Sequence, residues 1–411
     1  MQIRSVIAAI LLAVVPSIAL AQSKPVKIGV LNDRSSVYAD SQGIGSVIAA
    51  RLAAEDYAKS LGLTVEIVYA DHQNKVDIGA NIARSWYENQ GVDMVIDVPN
   101  SSVALAVNTL TRDLNKVMIG SGAGTALLTG KACTPNTVHW TYDTWELGNG
   151  FAKAIYERGG KKWFFISADY QFGKDLEAAA SEGVKKLGGE VLGAVRAPIG
   201  TLDFSSFLVQ AQSSDADTIA FANAGGDLSN ALKQAAEYGM SSKFKMPGFV
   251  FQINNVQTLG LQATQGVFGL MPFYWDQNDA SRAFAKRFQE LHPRKIMPND
   301  MQAGVYAAVV HYLKAVAALK DASDGRAVVA KMKELPTDDP LYGKGTIRID
   351  GRKIHPVYLY ETKKPSESKG KWDYFKLVAT IPAEQAFRPL SANPQRSAQA
   401  PRNTLLTLSG V

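Results

Sequence analysis

The chain has 411 residues, 46% hydrophobic and 20% charged, with 34 Gly and 17 Pro, which suits one large or two medium globular domains and excludes disordered, collagen-like and disulfide-framed classes. The 44 Lys+Arg against 38 Asp+Glu give a formal charge of +6, but no run of five or more like charges forms a nucleic-acid arm, so no nucleic-acid partner is expected. A mean hydropathy of −0.07 excludes a polytopic membrane protein, and the one apolar stretch near membrane length lies at the extreme N-terminus.

Arg4 opens that stretch, residues 6–15 are apolar, Pro16 breaks it, and Ala19-Leu20-Ala21 is a small-x-small cleavage site. This is the pattern of a secretory signal peptide over residues 1–21, so a cleaved, exported chain is expected. Its removal takes Arg4 and lowers the formal charge from +6 to +5. No Cys follows the cleavage point, so no lipid anchor is expected. The single cysteine, Cys133, permits no intramolecular disulfide. A turn-like Thr134-Pro135-Asn136-Thr137 separates it from His139, so a buried or loop thiol is expected there, not a nucleophile.

The mature chain begins as a strand over 26–31, a polar loop over 32–42 and an Ala-rich helix over 46–60. The alternation continues with strand 64–70, helix 78–90, strand 93–98, helix 102–114 and strand 116–120. A turn-rich crossing at 129–141 follows. The pattern restarts with helix 146–158, strand 163–167, helix 174–187, strand 190–195, helix 204–212, strand 218–222, helix 228–238 and strand 245–250. A further strand from Gly266 leads to long helices at 280–291 and 301–319, a return to the first unit; 346–362 and 372–379 read as paired antiparallel strands, and a Ser/Pro/Ala/Gln-rich tail starts at Leu390. The whole predicts an α/β protein of two units, each a mainly parallel sheet flanked by helices, enclosing a cleft.

Ligands of parallel sheets bind beyond the carboxyl ends of the strands. After the third strand stand Ser101 and Ser102, hydroxyls at a helix start where free N–H groups favour a carboxylate, though either can simply cap the helix. After the fourth comes Gly120-Ser-Gly-Ala-Gly-Thr125, whose Gly122, Ala123 and Gly124 let backbone amides approach a ligand. It fails as a dinucleotide fingerprint, because its third glycine comes one residue early and it follows the wrong strand. Tyr170 and Phe172 follow the first strand of the second unit, Ala224 and Asp227 its third, and Tyr38 sits in the first loop. Aromatics, hydroxyls and glycine amides suit recognition more than reaction, while lobe packing is an equal reading for each ring.

Catalytic patterns are poor. Five histidines, at 72, 139, 292, 311 and 355, show no metal-ligand spacing, so no metal and no cofactor are expected. Ser-x-x-Lys at 242–245 precedes a strand and at 366–369 lies in a loop, Asp71-His72 closes a strand, and no Gly-x-Ser-x-Gly elbow exists. A secreted hydrolase is thereby disfavoured.

Across residues 26–386 the chain resembles the type I periplasmic solute-binding proteins of ABC transporters, in the branched-chain amino-acid, amide and aromatic-acid branch. The resemblance is carried by Lys27-Ile-Gly-Val-Leu31 with Tyr38-Ala-Asp40, Val68-Tyr-Ala-Asp-His-Gln-Asn74, Asn100-Ser-Ser102, Cys133-Thr-Pro-Asn-Thr-Val-His-Trp-Thr-Tyr-Asp143, Ala168-Asp-Tyr-Gln-Phe-Gly173, Asp203-Phe-Ser-Ser-Phe207 and Ala222-Asn-Ala-Gly-Gly-Asp227. It implies two lobes crossed three times by the chain: 22–142 with about 272–350, and 143–271 with about 351–386, followed by a flexible tail at 387–411. It also implies a ligand carboxylate held at Ser101 and at Gly122 to Gly124, rings of Tyr38 and Phe172 over the ligand, and no enzymatic activity. Lobe closure on a small organic anion or amino acid would present a monomer to permease subunits in the inner membrane. Leucine-type members place a Glu for the ligand's ammonium where this chain has Gly248, followed by Phe249. Asp227 can substitute, although capping is its expected role at a helix start. The departure points to an acid with an aromatic or apolar body over leucine. A branched-chain amino acid or amide is the alternative, and a sensor partner acting in trans on a membrane receptor is the alternative of another class.

Overall fold

Residues 24–392 are described by the computed structural model, so the expected signal peptide (1–21) and most of the expected tail (387–411) lie outside them. The chain runs β1 (Val26–Asn32), α1 (Gly43–Tyr57), β2 (Val65–Asp71), α2 (Val76–Asn89), β3 (Met94–Asp97), α3 (Ser101–Asp113), β4 (Val117–Gly120) and β5 (Thr137–His139). It continues α4 (Thr144–Tyr156), β6 (Lys162–Ala168), α5 (Gln171–Lys186), β7 (Glu190–Ala197), α6 (Ser205–Gln212), β8 (Thr218–Ala224), α7 (Gly225–Glu237), β9 (Gly248–Val250), α8 (Ile253–Leu259) and β10 (Phe268–Met271). Last come α9 (Asp279–Leu291), α10 (Asp300–Leu319), α11 (Gly325–Glu334), β11 (Thr337–Asp339), β12 (Gly343–Ile347), β13 (Lys353–Ile354), β14 (Val357–Thr362), β15 (Phe375–Ile381) and α12 (Ala383–Ala386).

Two parallel sheets form the two lobes, one ordered β2-β1-β3-β4-β5 and the other β7-β6-β8-β9. Central strands β3, β4 and β8 are buried along their whole length and therefore read as unbroken apolar runs, whereas edge strands β2 and β7 keep exposed positions. Antiparallel trios β10-β14-β15 and β11-β12-β13 complete the molecule. Helix α10 is long and apolar enough to cross a membrane, but 78% of its apolar window is buried. It packs on α1 and α11 in the core.

Several elements differ from expectation. The stretch 346–362 is not one strand: Gly351 (φ 82°) and His355-Pro356 break it into β12, β13 and β14, and only β14 pairs with β15. Strand β9 keeps only three residues of 245–250, because Lys245 makes an isolated bridge to Thr218. The expected loop at 223–227 is absent: Gly225, at φ 58°, turns β8 directly into α7, so Asp227 lies in a first helical turn. Likewise Phe172 falls inside α5. Helix α11 was missed although Asp324 caps it, accepting from the N–H groups of Arg326 (3.1 Å) and Ala327 (3.2 Å). Cys133 is half-buried, its thiol donating to the Asp350 carbonyl (3.3 Å), and burial pushes it up from the usual thiol range.

Candidate functional site

The first loop is shaped by one buried carboxylate. Asp33 accepts from the backbone N–H groups of Ser35 (3.3 Å), Ser36 (3.0 Å) and Tyr38 (2.8 Å), from Ser36 Oγ (2.7 Å) and from Asn74 Nδ2 (2.7 Å). That curl turns Tyr38 inward, where only 5% of it is exposed.

Beyond β3 the backbone is strained. Asp97 and the β-branched Val98 both have positive φ, 84° and 49°, a conformation that costs roughly 1–3 kcal/mol per residue and persists only where surroundings enforce it. The Asp97 carboxylate is fixed by Asn32 Nδ2 (3.0 Å) and Ser121 Oγ (3.3 Å), and its carbonyl by the Gly122 N–H (3.0 Å). The detour aims Pro99 at the cleft and brings Asn100 into place as the α3 cap, accepting from the N–H groups of Ser102 (3.0 Å) and Val103 (3.1 Å). Ser101 Oγ accepts from the Thr125 N–H (3.2 Å), which ties this helix start to the glycine loop after β4.

In that loop the Ala123 carbonyl accepts from His139 Nε2 (2.6 Å), with the ring held in that tautomer, and the Gly122 carbonyl accepts from the Tyr142 hydroxyl (2.9 Å). The N–H groups of Ala123 and Gly124 donate to no described group, although both residues are buried. A Cβ on Gly124 would stand 2.7 Å from the Phe172 ring, so glycine is required for this approach.

The opposite wall comes from the second sheet. Tyr170 and Phe172 lie at the start of α5, their ring centroids 6.0 Å apart, and the Tyr170 hydroxyl hydrogen-bonds that of Tyr38 across the cleft. The walls also meet through Thr125 Oγ1 on Asp175 (2.5 Å), the Gly226 N–H on the Val37 carbonyl (2.9 Å) and Asn254 Nδ2 on the Asp40 carbonyl (3.0 Å). The cleft is closed. Tyr38, Gly122, Tyr170, Phe172 and Ala224, all expected, line a cavity of ≈ 10 Å³ with Ser41, Gln42, Pro99, Tyr142 and Met301, which were not. That is room for about one water.

Other expected residues sit behind this wall. Ser101, Ala123 and Gly124 frame it from the first sheet, and among the described residues the Ser102 hydroxyl caps none. Phe249 is a core residue, edge-on to Phe151 at 5.2 Å, and lines a second space of ≈ 10 Å³ with Tyr142, Gln252 and Asp300. Asp227 gives both oxygens to the Gly200 N–H (3.2 and 3.0 Å), a positioning bond in place of the expected cap, and does not line the cleft. Tyr142 precedes the α4 cap Asp143, and Ser41 and Gln42 directly follow Tyr38; Met301 has no local signal, because only the second chain crossing brings it here.

Electrostatically the site is unusual. Neither Lys nor Arg lines the cavity, whereas burial pushes Asp97 up to about 6 and Asp300 up to about 7. Asp300 accepts from Gln252 Nε2 and has no cation within ion-pair distance among the described residues. Burial raises the Tyr38 and Tyr142 hydroxyls as well, so both stay protonated donors. Among the described residues no group of three His, Cys, Asp or Glu side chains converges to hold a metal. The arrangement can bind and desolvate a small molecule; it contains no nucleophile paired with a base.

A model of the periplasmic binding protein family matches residues 25–371. A periplasmic binding protein from Burkholderia mallei is 47% identical, with a TM-score of 0.87 over 90% of this chain and 98% of that one. A branched-chain amino acid ABC transporter periplasmic ligand-binding protein from Burkholderia xenovorans is 40% identical, with a TM-score of 0.78 over 90% and 98%. A solute-binding protein of an R. palustris ABC transporter, solved in complex with benzoate, shares the fold at 20% identity and a TM-score of 0.79, over 88% of this chain and 97% of that one.

Proposed function

Because the chain belongs to the periplasmic binding protein family, the solute-binding components of ABC transporters and not an enzyme family, we propose that its cleft captures a small carboxylate with an aromatic or apolar body. The observation that carries this reading is the pair of buried N–H groups at Ala123 and Gly124 without an acceptor among the described residues. Unpaired buried amides are costly, and a carboxylate satisfies both. Ser101 and Ser102 stand beside them at the α3 start, where the helix dipole favours an anion. Tyr38, Tyr142, Tyr170 and Phe172 supply the faces that desolvate the body, with Ala224 leaving space between them. Phe249 and Asp227 support this wall and do not touch the ligand.

Capture requires Tyr38 and Tyr170 to part and reclose on the ligand, a movement of one lobe (22–142 with about 272–350) against the other (143–271 with about 351–386). The closed form is then presented, as a monomer in the periplasm after removal of 1–21, to permease subunits of an inner-membrane importer. A second reading has one observation in its favour: the buried Asp300 carboxylate, without a cation, is placed to receive an ammonium and so to accommodate an amino acid. Calorimetric titration with benzoate, 4-hydroxybenzoate, phenylalanine and leucine separates the two. Binding of the benzoates with none of the amino acids is expected; tight leucine binding with no response to either benzoate refutes the aromatic-acid reading.

A further inference from the structure

A larger cavity, ≈ 530 Å³, lies between α4, the end of α5 and the β14–β15 pair, and shares no lining residue with the Tyr38–Tyr170 cleft. Its volume falls in the range of small-molecule sites, roughly 300–1,000 Å³. Glycines create it by pulling α4 close to its neighbours: a Cβ on Gly148 would meet the Ala180 backbone nitrogen at 2.6 Å, and one on Gly150 the Leu270 side chain at 2.6 Å. The helix thus presses onto α5 and β10 and leaves a trough towards β15. Buried Leu270 and Leu359 form the floor and Ile381 one side.

The two ends of this trough differ in chemistry. At one, Glu146 is 1% exposed; its Oε2 accepts from the Asp143 N–H (3.2 Å), but Oε1 has no hydrogen-bond partner among the described residues. Arg352 lies 4.0 Å from Oε2, too far for a hydrogen bond, and burial holds the carboxyl well above the usual range. At the other end stand Lys153, Arg158 and Lys186 against a single Glu157. Lys186 is paired to Glu182 (2.5 Å) and Arg158 lies 5.0 Å over the Phe268 ring, whereas Lys153 has no carboxylate within ion-pair distance among the described residues. Seven residues of helix separate Glu146 from Lys153, about 10 Å at the α-helical rise.

We infer that this groove is a second ligand site, for a medium-chain acid with a hydroxyl at its far end. The carboxylate lies between Lys153 and Arg158, the chain of about eight carbons spans the about 10 Å along Leu270, Leu359 and Ile381, and the hydroxyl pairs with Glu146 Oε1. Carboxylate, methylenes and hydroxyl each then meet a group that complements them, and the unpartnered oxygen of Glu146 is satisfied.

The probe is 8-hydroxyoctanoate, titrated into the mature chain and followed by calorimetry and by Trp145 fluorescence, since Trp145 lines the groove. Saturable binding is expected, weaker by about tenfold for octanoate, which lacks the hydroxyl, and for Lys153→Glu, whose exposed position leaves folding intact. Leu359→Trp fills the floor and should abolish the response; Gly124→Val, which blocks the other cleft, should leave it unchanged. Absence of saturable binding at millimolar probe, equal affinity for Lys153→Glu and the parent chain, or loss of binding in Gly124→Val overturns the proposal.

Discussion

The cleft between the lobes and the groove on α4 invert the usual relation between size and chemistry. The groove is open and roomy, ≈ 530 Å³, with its polar groups at the ends. The cleft is closed down to ≈ 10 Å³, yet four rings line it, and behind them stand two backbone amides without an acceptor among the described residues and a strained strand end. Volume in one conformation therefore says little about which cavity is the principal site. Costly features do: unsatisfied buried amides and positive-φ side chains persist only where something repays them.

The comparison is broken most sharply at Gly124. Gly124→Val drives a side chain into the Phe172 ring, and ligand binding in the cleft should fall by at least about 100-fold with the fold intact, as judged by circular dichroism. Next is Asp33→Ala, which removes an acceptor for five hydrogen bonds and should cost about 3–5 kcal/mol of stability in denaturant titration, together with much of the affinity, while Asp33→Asn recovers part of both.

Asp300 gives a pH prediction. Its folded value, about 7, lies above the ordinary 3.8, so the folded chain holds a proton there that the unfolded chain has lost. Stability from this group is present below pH 4 and is lost as pH rises from about 4 to 7. Asp300→Asn should therefore raise the denaturation midpoint relative to the parent at pH 8 more than at pH 5, by an amount of order 3 kcal/mol. A buried amino-acid ammonium would erase that difference. Smallest is Tyr170→Phe, which removes the hydroxyl bond to Tyr38 and should change affinity by only about threefold to tenfold, chiefly in the dissociation rate.

Much of the fold was legible because parallel strands advertise themselves: β3, β6 and β8 are apolar runs followed by amphipathic helices, and β1 is followed by an Ala-rich helix buried along most of its first three turns. What escaped was short or non-local. Strand β5 has three residues inside a turn-rich segment, and β11, β12 and β13 are defined by pairing across the chain, not by periodicity. The first-sheet loops and the pair Tyr170 and Phe172 were readable because they directly follow strands. Tyr142 and Met301 were not, since chain crossings deliver them. Nor could the sequence show that the buried Asp300 carboxyl lies beside Phe249 and Gln252.

The most direct test of the central claim is native mass spectrometry of the protein purified without unfolding, alongside Gly124→Val. One bound small molecule, bearing a carboxylate, carried by the parent chain and absent from the variant is the predicted result. A ligand retained undiminished by Gly124→Val, or one without any carboxylate, contradicts the account.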